Sequence, residues 1–174
     1  IYWKPDIKRP VVIPRDSRLP AFVIHNNLRI LGISREEFLK QGIDFVSVRA
    51  SQLFNKKRGT IRGMHLQRSP HEEQKLVWCI EGKIFDVVVD LRPDSPSFRK
   101  WSGEELSAEN HKMMYIPRGC AHGFQTLEDD SVVEYLASES YSAENEWGVR
   151  WNDPMIGIKW PDKNIFVSSK DRGF

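Results

Sequence analysis

Residues 75 to 91 are Lys75-Leu76-Val77-Trp78-Cys79-Ile80, then Glu81-Gly82-Lys83, then Ile84-Phe85-Asp86-Val87-Val88-Val89-Asp90-Leu91. The two outer runs are rich in β-branched and aromatic residues, and the short link between them has Gly82 where a positive φ is easily adopted. This stretch therefore predicts a β-hairpin. The second run is almost continuously apolar, which is typical of a strand covered on both faces, as in a double-layered barrel. We expect Asp86 to be buried there with a polar partner.

Short runs of the same kind recur along the chain, at Lys112–Ile116 and Ser131–Tyr135. The segment Arg92–Pro96 predicts a loop, because proline cannot donate to a strand ladder and restricts the residue before it. Short strands at this spacing favour an all-β barrel or sandwich. The clearest helix signal is a capping box in which Ser34 is followed three residues later by Glu37.

Composition predicts one soluble, cytoplasmic domain that spans residues 1–174. The net charge of +2 comes from 26 basic and 24 acidic residues that are interspersed along the chain, which argues against a nucleic-acid-binding face. Two cysteines, Cys79 and Cys120, are too few for a disulfide framework and indicate reduced thiols. No apolar stretch approaches the roughly 18 residues that span a bilayer, so we expect no membrane segment.

Several polar side chains lie on or beside the predicted strands, and in a barrel such residues converge at one end. Taken singly each has an ordinary interpretation: His65 as a core or surface histidine, Lys75 as a strand-edge charge, Tyr135 as a half-buried aromatic. The basic run at residues 56–58 is either a solvated loop or a group that attracts phosphate at the entrance of a site. No phosphate-cradling glycine loop or nucleophile motif is present.

Taken together, the motifs resemble the dTDP-4-dehydrorhamnose 3,5-epimerase family. The resemblance runs from about Gly59 to Asp171 and rests on matched segments in matching order: Arg62–Gln67, Gln74–Val77, Phe85–Arg92 with Ser95-Pro96, Ile116-Pro117 with Gly119, Ala121–Phe124, Trp151–Pro154, Ile158 with Trp160-Pro161, and Ser169–Asp171. It implies a mainly β, cupin-type double-layered barrel (jelly roll) with a few short helices. It also implies a homodimer with strands shared between subunits, and no cofactor.

The resemblance also implies catalytic roles. His65 looks like the base, Asp171 like the carboxylate that orients it, and Tyr135 like the acid on the opposite face of the sugar, while Lys75 and Arg62 resemble the groups around the enolate oxygen. This assignment is chemically consistent, because an enolate formed next to a C4 ketone needs donors at the oxygen and a base near neutral pH. The residues that we expect to bind substrate are Arg62, Gln67, His122, Tyr141, Arg18, Arg49 and Ser47.

A metal site is not expected. Many cupin-type barrels hold a metal with a His-x-His pair, but Gln67 stands two residues after His65. His71 with Glu72 and Glu73 is poorly spaced for a metal centre.

The chain departs from the family pattern toward its N-terminus. The family carries Asp-x-Arg-Gly-x-Phe, whereas Arg18 is followed here by Leu19-Pro20, and a Gln-x-Asn-x-Ser segment is replaced by residues 47–51 with Arg49 at the amide position. We expect altered contacts to the nucleotide or the sugar. The predicted function is inversion of C3, C5 or both in a nucleotide-linked 4-keto-6-deoxyhexose of deoxysugar biosynthesis. The alternatives are an epimerase of C3 or C5 alone on a CDP- or GDP-linked sugar, and a non-catalytic cupin that binds a sugar nucleotide.

Overall fold

The computed structural model describes residues 11–14 and 45–172. These residues form eleven strands and one short helix: β1 (Val11–Pro14), β2 (Arg49–Asn55), β3 (Thr60–Gln67), β4 (Lys75–Glu81), β5 (Lys83–Asp90), β6 (Trp101–Ser107), β7 (Lys112–Ile116), β8 (Cys120–Thr126), β9 (Ser131–Ala137), β10 (Glu146–Gly148), β11 (Phe166–Val167) and α1 (Ser169–Arg172). The strands predicted from β-branched runs are confirmed within two residues. The helix predicted at Ser34 lies outside the described residues, and α1 is the one helix within them.

The strands form two sheets. The first sheet has the order β1-β7-β4-β9-β2, and the second has the order β10-β3-β8-β5-β6, with all of these pairs antiparallel. Strand β11 pairs with β3 in parallel. The mainly β, double-layered architecture is therefore confirmed.

The core lies between the two sheets. Val77 and Val133 of the first sheet belong to one buried cluster with Ile84, Val88 and Phe124 of the second. The alternate residues of β5 face the other way, into a second cluster that the segment 149–160 covers. Strand β5 is thus buried on both faces, as its sequence predicted.

The predicted hairpin at Gly82 is wrong. Strands β4 and β5 lie in different sheets and do not pair with each other. The shortest common hairpin loops contain two residues, but Gly82 is the only residue between these strands. The chain therefore bends at Gly82, with φ 72°, and passes from one sheet to the other. A side chain here would also contact Ser131, whose Oγ lies 2.6 Å from the ideal Cβ position.

Asp90, the last residue of β5, accepts several hydrogen bonds. Its carboxylate accepts hydrogen bonds from Arg92 Nε at 2.8 Å and Nη2 at 2.6 Å, and from the hydroxyls of Ser95 and Ser97. These bonds fix the predicted loop that follows Leu91. No helix among residues 45–172 is long and apolar enough to cross a membrane.

Candidate active site

A cavity of about 230 Å³ opens between the two sheets. Its walls come from β2, β3, β4 and β9, from the segment 141–146, and from the C-terminal segment 161–172. The lining residues are Arg49, Leu53, Arg62, His65, Leu66, Gln67, Glu73, Lys75, Tyr135, Tyr141, Glu146, Ser168, Lys170 and Asp171. All four predicted catalytic residues line this one cavity.

An irregularity in β3 brings Arg62 and His65 to the same wall. Residues three apart on a regular strand point to opposite faces, but the register of β3 against β8 shifts between these two residues. Gly63 lies within the shift with φ 115°, and a Cβ at this position would lie 2.6 Å from Gly123 Cα. Only glycine fits this close approach of two backbones.

The imidazole of His65 is paired with the carboxylate of Asp171. His65 Nε2 lies 2.7 Å from Asp171 Oδ1, and the Asp171 side chain is 2% exposed. Burial by itself raises the pKa of Asp171, but the hydrogen bonds from His65, Ser168 and the Gly63 N–H outweigh it and hold this pKa below its usual value. Asp171 is therefore ionised at neutral pH and can fix the tautomer with the proton on Nε2.

Ser168 holds that carboxylate in place. Its hydroxyl donates to Asp171 Oδ2 at 2.6 Å and accepts from the Asp171 backbone N–H at 3.1 Å. This is the arrangement of a residue that caps the first turn of a helix, so α1 presents the carboxylate to His65.

The opposite wall is built from a cross-strand row in the first sheet. Arg49 of β2 and Lys75 of β4 both pair with Ala137 of β9, while Tyr135, two residues earlier on β9, belongs to the next row on the same face. Ala137 is small, so the two long cationic side chains converge on Tyr135. The Arg49 guanidinium lies 5.7 Å from the Tyr135 ring centroid, and Lys75 Nζ lies 5.9 Å from it.

Glu73 joins the two cations. Its carboxylate lies 2.8 Å from Arg49 Nη2 and 2.9 Å from Lys75 Nζ, and its side chain is 5% exposed. The buried Nε of Arg49 has no hydrogen-bond partner among the described residues.

The outer part of the cavity carries a second charged group. Glu146 accepts hydrogen bonds from the Tyr141 hydroxyl at 2.7 Å and from Lys170 Nζ at 2.8 Å. Burial raises the pKa of Glu146, but these two donors outweigh it and lower the pKa below its usual value. Tyr141 is 52% exposed and marks the entrance.

Some of the predicted substrate-binding residues line the cavity and others do not. Arg62, Gln67, Tyr141 and Arg49 line the cavity, but exposed Ser47 does not, and Arg18 lies outside the described residues. The side-chain amide of Gln67 hydrogen-bonds to the backbone of neighbouring loops. It donates to the carbonyls of residues 71 and 140 and accepts from the N–H of residue 142.

His122 lies beside the cavity wall, opposite His65 in the strand register. Its Nε2 lies 2.7 Å from Asp86 Oδ1, and this is the partner expected for the buried aspartate. Burial raises the pKa of Asp86, against the charges of His122 and Lys75. The pair is 9% and 0% exposed, and neither residue lines the cavity.

Glu73, Glu146 and Lys170 were missing from the predicted site. Glu73 lies just before β4, two residues ahead of Lys75, so its nearness in sequence to a predicted site residue was its one signal. Glu146 had none, since only the pairing of β10 with β3 brings it to the cavity. No group of three or more His, Cys, Asp or Glu side chains able to hold a metal occurs in the described part of the chain.

Comparison with known proteins agrees with this geometry. A family model described as dTDP-4-dehydrorhamnose 3,5-epimerase matches residues 33–174. A protein of that name from Sinorhizobium fredii is 41% identical over 139 residues, which are 79% of this chain and 71% of the relative.

Solved structures give the same result. The Bacillus anthracis dTDP-4-dehydrorhamnose 3,5-epimerase with TDP and PPi bound is 41% identical with a TM-score of 0.76, over 80% of this chain and 79% of that one. A Legionella pneumophila dTDP-6-deoxy-D-glucose-3,5-epimerase in complex with dTDP-4-keto-L-rhamnose is 32% identical with a TM-score of 0.74, over 93% and 81%. The cupin-type prediction is thereby confirmed, and the chain belongs to the dTDP-4-dehydrorhamnose 3,5-epimerase family of isomerases.

Proposed function

We propose that this protein inverts C3 and C5 of a dTDP-linked 4-keto-6-deoxyhexose by removing and returning protons next to the ketone. The observation that carries the proposal is the placement of His65 and Tyr135. The His65–Asp171 pair lies on the wall formed by the second sheet, and Tyr135 lies on the wall formed by the first. A sugar ring between them would have a base on one face and an acid on the other, which is what inversion requires.

The proton transfer follows from the tautomer of His65. With Nε2–H donated to Asp171, the lone pair of the ring is on Nδ1, which takes the proton from the carbon next to the ketone. The C–H electron pair moves into a C=C bond, and the carbonyl electrons move to O4. Donors from Lys75 and Arg62 stabilise that oxygen. As the O4 electrons re-form the carbonyl, the C=C electron pair takes the hydroxyl proton of Tyr135 from the other face. Solvent then removes the proton from His65 and returns one to Tyr135.

The charge of the cavity suits an anionic substrate. Its lining contains the cations Arg49, Arg62, Lys75 and Lys170 against three carboxylates. Relatives of this chain have been solved with TDP and with a dTDP-linked keto sugar, which supports a nucleoside diphosphate sugar as the substrate class here.

A homodimer is part of the proposal. Strand β2 is an edge strand of the first sheet as described, and the outward side chains Val46, Val48 and Phe54 on and before it are 55%, 58% and 59% exposed. Apolar residues along an open edge favour pairing with a second copy. Light scattering is expected to give twice the 20.3 kDa of one chain, and a monomer at micromolar concentration would contradict it. A cytoplasmic location stays a prediction.

Incubation with dTDP-4-keto-6-deoxyglucose in deuterated water, followed by NMR of C3 and C5, tests the function. We expect deuterium and inversion at both carbons. Inversion at one carbon only would instead support a monoepimerase, and binding without exchange would support the non-catalytic alternative.

Two variants separate the proton-transfer roles. His65→Asn should lower both exchange and inversion by ~10²–10⁴-fold, as expected for loss of a general base. Tyr135→Phe should leave exchange but not inversion, because His65 can return a proton to the face from which it was taken. Equal loss of exchange in both variants would contradict the two-face assignment.

A further inference from the structure

We propose that Arg49 is a positioning residue for the second proton transfer, in which Tyr135 gives up its proton. This inference rests on the proposed function. Arg49 and Lys75 approach the Tyr135 ring at similar distances, 5.7 and 5.9 Å, from the two strands that flank β9. A phenol that donates its proton becomes a phenolate whose negative charge spreads into the ring, and two nearby cations stabilise that charge.

The side chain of Arg49 is held at this place from three sides. It bonds to Glu73 at 2.8 Å, and its guanidinium lies 5.7 Å from the ring of Tyr135 and 5.8 Å from that of Tyr141. A planar guanidinium has a rigid fork of donors, so it can bond a carboxylate and lie against two rings in one fixed orientation, whereas an ammonium group is a point charge without that fork. Arg49 therefore fixes Tyr135 as well as supplying charge.

Glu73 determines how much of that charge reaches the tyrosine. Its buried carboxylate lies between Arg49 and Lys75, so the three groups carry a net charge of one cation. Without Arg49, Glu73 would neutralise Lys75 alone, and the environment of the phenolate would lose its net positive charge. Without the charge of Glu73, both cations would act on Tyr135.

Replacing the two partners of this ion pair in turn is therefore expected to give different results. The measured quantity is the ratio of inverted product to deuterium incorporated without inversion, taken from the same NMR experiment. Arg49→Gln should lower this ratio by about tenfold, as expected when one favourable charge interaction of moderate strength is lost. Glu73→Gln breaks the same ion pair but should leave the ratio at the wild-type value or above it. Arg49→Lys, which keeps the charge and loses the fork, should restore part of the ratio.

Arg68→Gln is the matched control, because Arg68 is an exposed arginine that stacks on Trp147 at 4.1 Å and does not line the cavity. Its ratio should be that of the wild type. Circular dichroism tests whether each variant is folded. If Arg49→Gln is unfolded, the ratios of Arg49→Lys and Glu73→Gln are compared instead: the inference expects a lower ratio in Arg49→Lys than in Glu73→Gln, and equal ratios would contradict it.

Three results would overturn the inference. The first is an equal fall of the ratio in Arg49→Gln and Glu73→Gln, which would make the ion pair merely structural. The second is an unchanged ratio in both, and the third is a rise in KM in Arg49→Gln with the ratio unchanged. A wild-type protein that neither exchanges nor inverts would instead refute the proposed function, so the two failures are distinguishable.

Discussion

Replacing Asp171 with Asn removes a charge from the His65 pair while keeping the shape of the side chain. In the wild type, the imidazolium formed by proton abstraction lies against a carboxylate at 2.7 Å. Two unit charges about 4 Å apart interact by about 4 kcal/mol at an effective dielectric constant of 20. Asp171 would therefore stabilise a transition state with a half-transferred proton by about 2 kcal/mol, and one with a fully formed imidazolium by about 4 kcal/mol. Without this charge, exchange and inversion should both fall by ~30- to 1,000-fold.

The assay is again solvent exchange and inversion followed by NMR, with each variant compared at saturating substrate. Ser168→Ala is the graded control, because it removes one hydrogen bond to Asp171 but leaves the charge. It should cost no more than about tenfold. The double variant His65→Asn with Asp171→Asn should be no slower than His65→Asn alone, since the carboxylate acts through the imidazole. Activity of Asp171→Asn within about threefold of the wild type would refute this reasoning.

Three further outcomes are expected. Asp90→Asn should lower the free energy of unfolding in urea by about 3 kcal/mol at pH 7. Burial raises the pKa of Asp90, but its hydrogen-bond donors, led by Arg92, outweigh burial and lower this pKa. The carboxylate therefore stabilises the fold above the unfolded pKa near 3.9, and the loss in the variant should shrink as pH falls below about 4. Equal losses at pH 7 and pH 3 would contradict that linkage. Gly63→Ala should destabilise the fold by at least about 3 kcal/mol, because φ is positive and Gly123 Cα is 2.6 Å from the new Cβ; a variant that melts with the wild type would show that β3 can relax. Turnover should survive dialysis against EDTA, and recovery of lost activity by added zinc or iron would disprove a metal-free site.

The strands could be predicted from the sequence because their signal is local. Runs such as Lys112–Ile116 carry their β-branched and aromatic residues within the strand itself, and the observed bounds agree. Strand pairing is not local. The residues around Gly82 suit both a hairpin turn and a bend between sheets. The pairing partners decide between the two, because β4 pairs with β7 and β9 whereas β5 pairs with β6 and β8.

The site residues likewise differ in whether local sequence or strand pairing places them. Tyr135 and Lys75 lie on regular strands, and both line the cavity, which agrees with the convergence expected from strand alternation and the family resemblance. Glu146 enters the cavity through the pairing of β10 with β3, and no neighbour in sequence indicates it. Arg49 was expected at the substrate, but its ion pair with Glu73 depends on the register between β2, β9 and β4.

The C-terminal segment 161–172 shows how one set of contacts serves both the fold and the chemistry. It returns to the barrel through a two-residue parallel pairing of β11 with β3 and a bond from the Phe166 N–H to the Gly59 carbonyl. Asp171 is nevertheless 2% exposed, and burial of an isolated carboxylate is costly unless hydrogen bonds compensate it. His65 and Ser168 supply that compensation. The orienting carboxylate of the base is therefore also an anchor of the segment that carries it, so a substitution that loosens β11 would lower proton abstraction without touching the cavity.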